Sequence, residues 1–323
     1  MRPADKIVII YLSLITLLVL IFSSRIQYWW ALLIGHASLA GFVILTSKLV
    51  ANSRAINPTA TIDSAIATSS TATINSAIAT SSNSIERLRD LVAGWYPVVL
   101  IPVTYKELSY LIPLIHPRDY DDVLAAIDYR FLGVYPTVWI ERLTWPPLTE
   151  VLQLTYSTYY FLPIVLGIAL WRSGRFEDFS YWVFIVALGF YISYIGYIAV
   201  PAIGPRFLPA IVQAQTFPLT GVWLFKSVRE LLDHAEGITR DCFPSGHTEL
   251  TLLVLIYARA LHRRVFWWLL PVGTGIILST VYLRYHYVID VVAGVLVAIV
   301  VTLIAKPIYS MLGGSILRRS DSS

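Results

Sequence analysis

The sequence predicts an all-α protein, a polytopic integral membrane bundle of about eight spans. Three observations lead there. Of the 323 residues, 57% are hydrophobic and only 14% charged, against about 25% charged in soluble domains. The mean hydropathy is +0.68. The apolar residues gather in runs near the ~20 residues that a helix needs to cross the hydrocarbon.

Taken in order, the spans read as 7–22, 28–50, 92–113, 151–171, 181–203, 248–261, 265–283 and 288–311. The first follows Arg2 and Lys6 and has the look of a signal peptide. It lacks a small-residue cleavage site, so it reads as an uncleaved span. Residues 1–50 thus carry two N-terminal spans. Residues 51–90 are a linker holding a near-repeat, IDSAIATSSTAT (Ile62–Thr73) followed by INSAIATSSNS (Ile74–Ser84). Its Ser/Thr/Ala composition buries little, so a flexible or weakly helical connection is expected. Residues 91–311 form the main membrane domain and 312–323 a tail.

Loop charges set an orientation. Lys48, Arg54, Arg87, Arg89, Arg172, Arg175, Arg259, Arg263, Arg264, Arg318 and Arg319 fall on one side if both termini are cytoplasmic. The opposite side receives 116–150, where Asp119, Asp121, Asp122, Asp128, Glu141 and Glu150 outnumber the basic residues. It also receives two polar stretches at span mouths, DCFPSGH (Asp241–His247) and YLRYHYVID (Tyr282–Asp290). Both clusters are therefore expected at the periplasmic, lumenal or extracellular face.

His286 and Asp290 are four apart, so on a helix begun by Arg284 they share a face and the carboxylate reaches the imidazole. A histidine held this way keeps one nitrogen free as base or nucleophile. Pro244-Ser245 reads as a helix start with serine at the cap. The helix N-terminus beyond it suits phosphate. Gly246 admits a ligand close to the backbone, and His247 is placed to give or take a proton. Arg206 and Arg284 add guanidinium charge that matches phosphate oxygens. His36, inside the second span, reads as a satisfied structural residue, and His116, His234 and His262 as solvated.

Other readings exist for these groups. His247, His286, Asp290 and Asp241 would make a metal site, but two arginines nearby repel a cation. A transporter or channel would use intramembrane charge along an ion path, yet here the charge gathers at one face. Cys242, the single cysteine, excludes an intrachain disulfide and reads as a small buried hydrophobe. The net charge of +4 is too small to suggest nucleic acid.

At these residues the chain resembles the type 2 phosphatidic acid phosphatase superfamily, whose pattern is Lys-x6-Arg-Pro, Pro-Ser-Gly-His and Ser-Arg-x5-His-x3-Asp. The second part is complete in Pro244–His247. Ser279, His286 and Asp290 match the third, with Thr280 in place of its arginine. Of the first only Arg206 remains, with Ala199 at the lysine position and Phe207 at the proline. STVYLRYHYVIDVVAG (Ser279–Gly294), AAIDYRFLGVYPTVWIERL (Ala125–Leu143) and LTYSTYYFLP (Leu154–Pro163) are similar to the branch with inositol phosphorylceramide synthases. The resemblance covers about 95–310. It implies a six-helix lipid phosphatase-like core without cofactor or metal. The substrate would be a lipid phosphate and the acceptor water or a lipid alcohol. It further implies His286 as nucleophile forming a phosphohistidine, Asp290 as its orienting partner and His247 as acid. Arg206, Ser245 and Gly246 would hold phosphoryl oxygens. Arg284 or Lys106 stands to supply the missing charge, Arg284 being favoured as only two residues from His286.

Overall fold

A computed structural model describes residues 1–56, 72–237 and 240–315. It is helical, with no strand among the described residues. The helices are α1 (Pro3–Ile21), α2 (Trp29–Ile56), α3 (Ala72–Ile115), α4 (Asp121–Leu132), α5 (Pro136–Trp139), α6 (Pro146–Ser157), α7 (Leu162–Arg172), α8 (Phe176–Ala199), α9 (Pro209–Ala214), α10 (Phe225–Glu236), α11 (Gly246–Leu261), α12 (Arg263–Tyr282) and α13 (Val288–Met311). Among the described residues seven segments are long and apolar enough to cross a membrane, α6 and α7 counting as one broken crossing. The expected span at 248–261 is α11, whose 16 residues fall short of that length. It nevertheless packs between α8, α12 and α13. Most of the first repeat copy lies outside the described residues. Ala72 and Thr73 of the first copy and the whole second copy open α3, so the third span is extended at its start as one helix.

The start of α1 and the end of α13 lie together. Lys6 Nζ donates to the Leu312 carbonyl at 2.7 Å, joining the start of α1 to the end of α13. On the same face Arg175 donates to the Leu261 carbonyl. The alternating helices bring 116–145, 200–237, 240–245 and 283–287 to the opposite face, where both polar mouths are found.

At the centre stands α8, buried on nearly all sides through Trp182, Phe184, Ile185 and Tyr194, with α1, α3, α7, α11 and α13 around it. Buried aromatic groups weld these contacts. Tyr11 stacks on Tyr191 at 4.1 Å, and Trp182 Nε1 donates to the Pro163 carbonyl at 3.0 Å. Leu296, Ile299 and Leu303 of α13 point outward, as a hydrocarbon-facing stripe should. His36 is buried and structural: its Nε2 meets Glu107 Oε1 at 2.6 Å and its Nδ1 meets Thr16 Oγ1 at 2.8 Å. It thereby ties α1, α2 and α3 within the membrane, where a polar group must find its partner in the protein.

Candidate active site

The turn from α12 to α13 brings His286 to the mouth. The amides of Tyr285 and His286 both donate to the Thr280 carbonyl, at 2.9 and 3.0 Å, and Arg284 takes a left-handed φ of 66° to close the turn. The following helix starts at Val288, later than expected, so His286 and Asp290 do not share a helical face. Asp290 instead accepts the Tyr287 amide at 2.8 Å from within the first turn of α13. Its Oδ2 stands 3.5 Å from His286 Nδ1, while the nearer partner of that nitrogen is the Cys242 carbonyl at 2.9 Å. A carbonyl only accepts, so Nδ1 carries the proton and Nε2 is left with its lone pair.

Cys242 is therefore more than a small hydrophobe. Its buried Sγ donates to Asp290 Oδ2 at 2.9 Å, while its carbonyl holds the histidine. Burial first, and then the Asp290 charge, push its thiol pKa well above the ordinary value, so it stays a neutral donor. Among the described residues Cys242, His286 and Asp290 bring thiol, ring nitrogen and carboxylate within 4.8 Å of one another. These donors already engage each other. The Asp241 and His247 of the four-residue metal reading are not in that group.

The other mouth is built by a serine cap. Ser245 Oγ accepts the Thr248 amide at 3.3 Å, and the Ser245 amide donates to the Asp290 carbonyl at 3.0 Å, so the two motifs are tied through backbone. Gly246 is required by packing: a Cβ there would collide with the Tyr197 hydroxyl. His247 lies with its ring between Tyr156 and Tyr159, whose centroids are 4.3 and 4.0 Å away. Its Nδ1 is 3.4 Å from the Tyr156 hydroxyl, and its buried Nε2 has no hydrogen-bond partner. The His247 and His286 ring centroids are 5.8 Å apart.

The acidic segment, read from sequence as loop charge, turns out to hold these mouths in place. Asp121 accepts the amides of Ile203 and Gly204 at 2.9 and 2.7 Å and the Tyr287 hydroxyl at 2.9 Å. Gly204 has a φ of 112°, and a Cβ there would stand 2.7 Å from the Tyr285 carbonyl oxygen, so only glycine lets these turns meet. Asp128 accepts the Val288 and Ile289 amides, at 2.7 and 2.9 Å, satisfying the free N–H groups that open α13. Glu150 does the same where α10 begins, taking the amides of Val222, Trp223, Leu224 and Phe225.

A cavity of about 390 Å³ opens at the mouth. His247, His286, Cys242, Arg206 and Tyr285 line one end. Val98, Ile101, Pro102, Ile164, Val186 and Phe190, from α3, α7 and α8, line the other. Of the expected phosphate ligands, Arg206 is there. Its guanidinium pairs with Asp233 at 2.7 Å and lies 4.8 Å from the Tyr285 ring centroid. Burial opposes its charge, but the hydrogen bond and charge of Asp233 outweigh that and raise its pKa.

Arg284 is not at the cavity. It donates to Glu141 Oε1 at 2.8 Å, Gln215 Oε1 at 2.7 Å and the Phe217 carbonyl at 2.7 Å, so it pins the 215–217 loop to the turn. Its left-handed backbone carries the side chain away from His286, and closeness in sequence misled. Of the two candidates for the missing charge, Lys106 is the one that lines the cavity. Sequence reasoning also missed Arg229 of α10, whose guanidinium lies 5.5 Å from the Tyr285 ring centroid. An arginine on the inward face of an otherwise amphipathic helix is the signal that marks it.

Fold and site together define a polytopic helical membrane protein with two histidines, each with a free Nε2, facing one cavity at a span mouth. The chain belongs to the PAP2 superfamily, whose profile matches residues 122–304. A PA-phosphatase related-family protein of Dictyostelium discoideum is 27% identical over 173 residues, 47% of this chain. The match spans 31% of that relative's own length. No solved structure matches the chain.

Proposed function

We propose that the protein is a membrane phosphatase or phosphotransferase acting on a lipid phosphate through a phosphohistidine. The observation that carries this reading is the two-ended cavity. Its imidazole and guanidinium end meets a phosphate ester, while its apolar end, walled by three spans, takes a hydrocarbon chain without leaving the membrane interior.

In the proposed reaction His286 Nε2 attacks phosphorus as the ester P–O bond breaks, and His247 gives a proton from Nε2 to the leaving oxygen. That order needs His247 protonated at the start. Once neutral, His247 takes the proton of the incoming acceptor, whose oxygen displaces Nε2 from phosphorus. Asp290, through Cys242 and the His286 Nδ1 edge, stabilises the imidazole as its charge changes. Arg206 meets the equatorial oxygens, where a fixed cation is most effective. Water as acceptor gives hydrolysis. A lipid hydroxyl gives transfer, the outcome that the inositol phosphorylceramide synthase-like stretches favour.

The test is to incubate the purified chain with a panel of phospholipids and prenyl phosphates and diphosphates. Free phosphate marks a phosphatase and a new head-grouped lipid a transferase. Neither product, with no acid-labile phosphoprotein on rapid quenching, sinks the reading.

A further inference from the structure

We propose that Arg229 is the second guanidinium of the phosphate clamp, and that Asp233 occupies the clamp until substrate displaces it. This rests on the reading above that the cavity takes a phosphate ester.

The inward face of α10 carries Phe225, Arg229, Leu232 and Asp233, while Lys226, Glu230, Leu231 and His234 are exposed. Phe225 and Leu232 are buried, as helical spacing requires. Arg229 is therefore the unexpected member. A cation drawn onto the packed face of a helix loses hydration and calls for a counter-charge. Asp233 is the carboxylate on that face, and its Oδ1 is paired with Arg206 at 2.7 Å. Among the described residues Arg229 makes no ion pair or hydrogen bond.

Both guanidiniums instead meet one ring. Arg206 lies 4.8 Å and Arg229 5.5 Å from the centroid of Tyr285. Tyr156 stacks on the same ring at 4.4 Å and 11°, so one face is taken and the two cations share the other face and its edges. Tyr285 lines the cavity and precedes His286. Two cations with one carboxylate leave an excess positive charge around the Tyr285 ring, one residue before the histidine proposed to attack phosphorus. A phosphate monoester carries up to two negative charges and offers several acceptor oxygens, so it pairs with both cations where one carboxylate pairs with one. Asp233 is free to leave, since its side chain is 41% exposed against 15% for Arg206. The arrangement also accounts for charge where motif positions lack it: Thr280 is uncharged, and its Oγ1 is spent on the Ile277 carbonyl.

The experiment uses the full chain in detergent, with inorganic phosphate and orthovanadate as probes. Affinity is read from the rise of the unfolding temperature with anion concentration. Because Arg229 packs on Tyr285, Arg229→Lys and Arg229→Gln carry the test, both keeping an aliphatic stem. Glutamine should weaken phosphate by about ten- to a hundredfold, as for a lost charged hydrogen bond, and lysine should recover part. Asp233→Asn should bind more tightly, and Arg142→Ala, an exposed arginine stacked on Trp139, should match wild type. Equal affinities for the wild type, lysine and glutamine variants overturn the proposal and leave the proposed function standing. Weaker binding by Asp233→Asn overturns the displacement step. A wild-type chain that binds neither anion overturns both the clamp and the phosphate reading beneath it.

Discussion

At the scale of single residues, the proposed chemistry rests on how two imidazoles are held. His286 is fixed by a carbonyl and a more distant carboxylate, His247 by two tyrosine rings. His286→Ala should abolish turnover and the acid-labile phosphoprotein. His247→Ala should slow turnover by about 10²–10⁴, the usual contribution of a general acid. His36→Ala, which disturbs only the link among α1, α2 and α3, should keep most of the turnover. Rapid quenching and steady-state rates on folded variants check all three, and a matching loss at His36 and His286 would mean that the histidines are structural. The thiol offers a separate prediction. Cys242 is 3% exposed, and burial with Asp290 keeps its thiol pKa above the usual range, so little thiolate exists near neutral pH. Maleimide at pH 7–8 should leave the native chain unlabelled and modify it fully in denaturing detergent. Rapid native labelling would contradict the thiol–carboxylate contact.

At the scale of elements, Arg284 changes role. The Arg284–Glu141 pair is buried on both sides, with side chains 8% and 6% exposed. Removing the arginine strands a carboxylate and two further acceptors. Arg284→Ala should therefore destabilise the fold by about 3–5 kcal/mol, the usual cost of breaking a buried pair, and Arg284→Lys by less. The folded fraction should keep a kcat/KM near wild type, since the guanidinium lies off the cavity. Unfolding curves and kinetics on the same preparations separate the two effects. A crippled rate at unchanged stability would return Arg284 to the phosphate clamp. The same logic extends to Asp121, Asp128 and Glu150, each spending its acceptors on amides of another segment. Their residue types were visible in the sequence, but their partners lie 72 to 166 positions away, beyond any local periodicity.

At the scale of the whole molecule, the helices set the start of α1 and the end of α13 against one face and both motifs against the other. The arginine distribution predicts that the terminal face is cytoplasmic. Single cysteines placed at exposed Asp122 and Ser173 should label from opposite sides of sealed membranes, Asp122→Cys from outside and Ser173→Cys from within. The silence of Cys242 makes this feasible in the native background. Labelling of Asp122→Cys only from the cytoplasm would reverse the orientation, and labelling of both from one side would break the two-faced arrangement.

The sequence by itself determined the class of the fold, the near-complete set of spans and the two mouths that meet. A bilayer reads a chain by run length, hydropathy and the placement of basic residues, and all three are written along one dimension. Pro244–His247 and the His286/Asp290 spacing were likewise local, so the histidine pair was legible before any coordinate. Tertiary structure alone decided which charged groups meet. It turned Arg284 away from the cavity to a buried pair with Glu141, set Arg229 against Tyr285 from α10, made Cys242 a hydrogen-bond donor and spent the acidic segment on holding loops. Each of those outcomes depends on the direction of a side chain at a turn or on a partner far along the chain. A left-handed φ at residue 284 or a helix face packed on Tyr285 becomes a fact only when the helices are assembled.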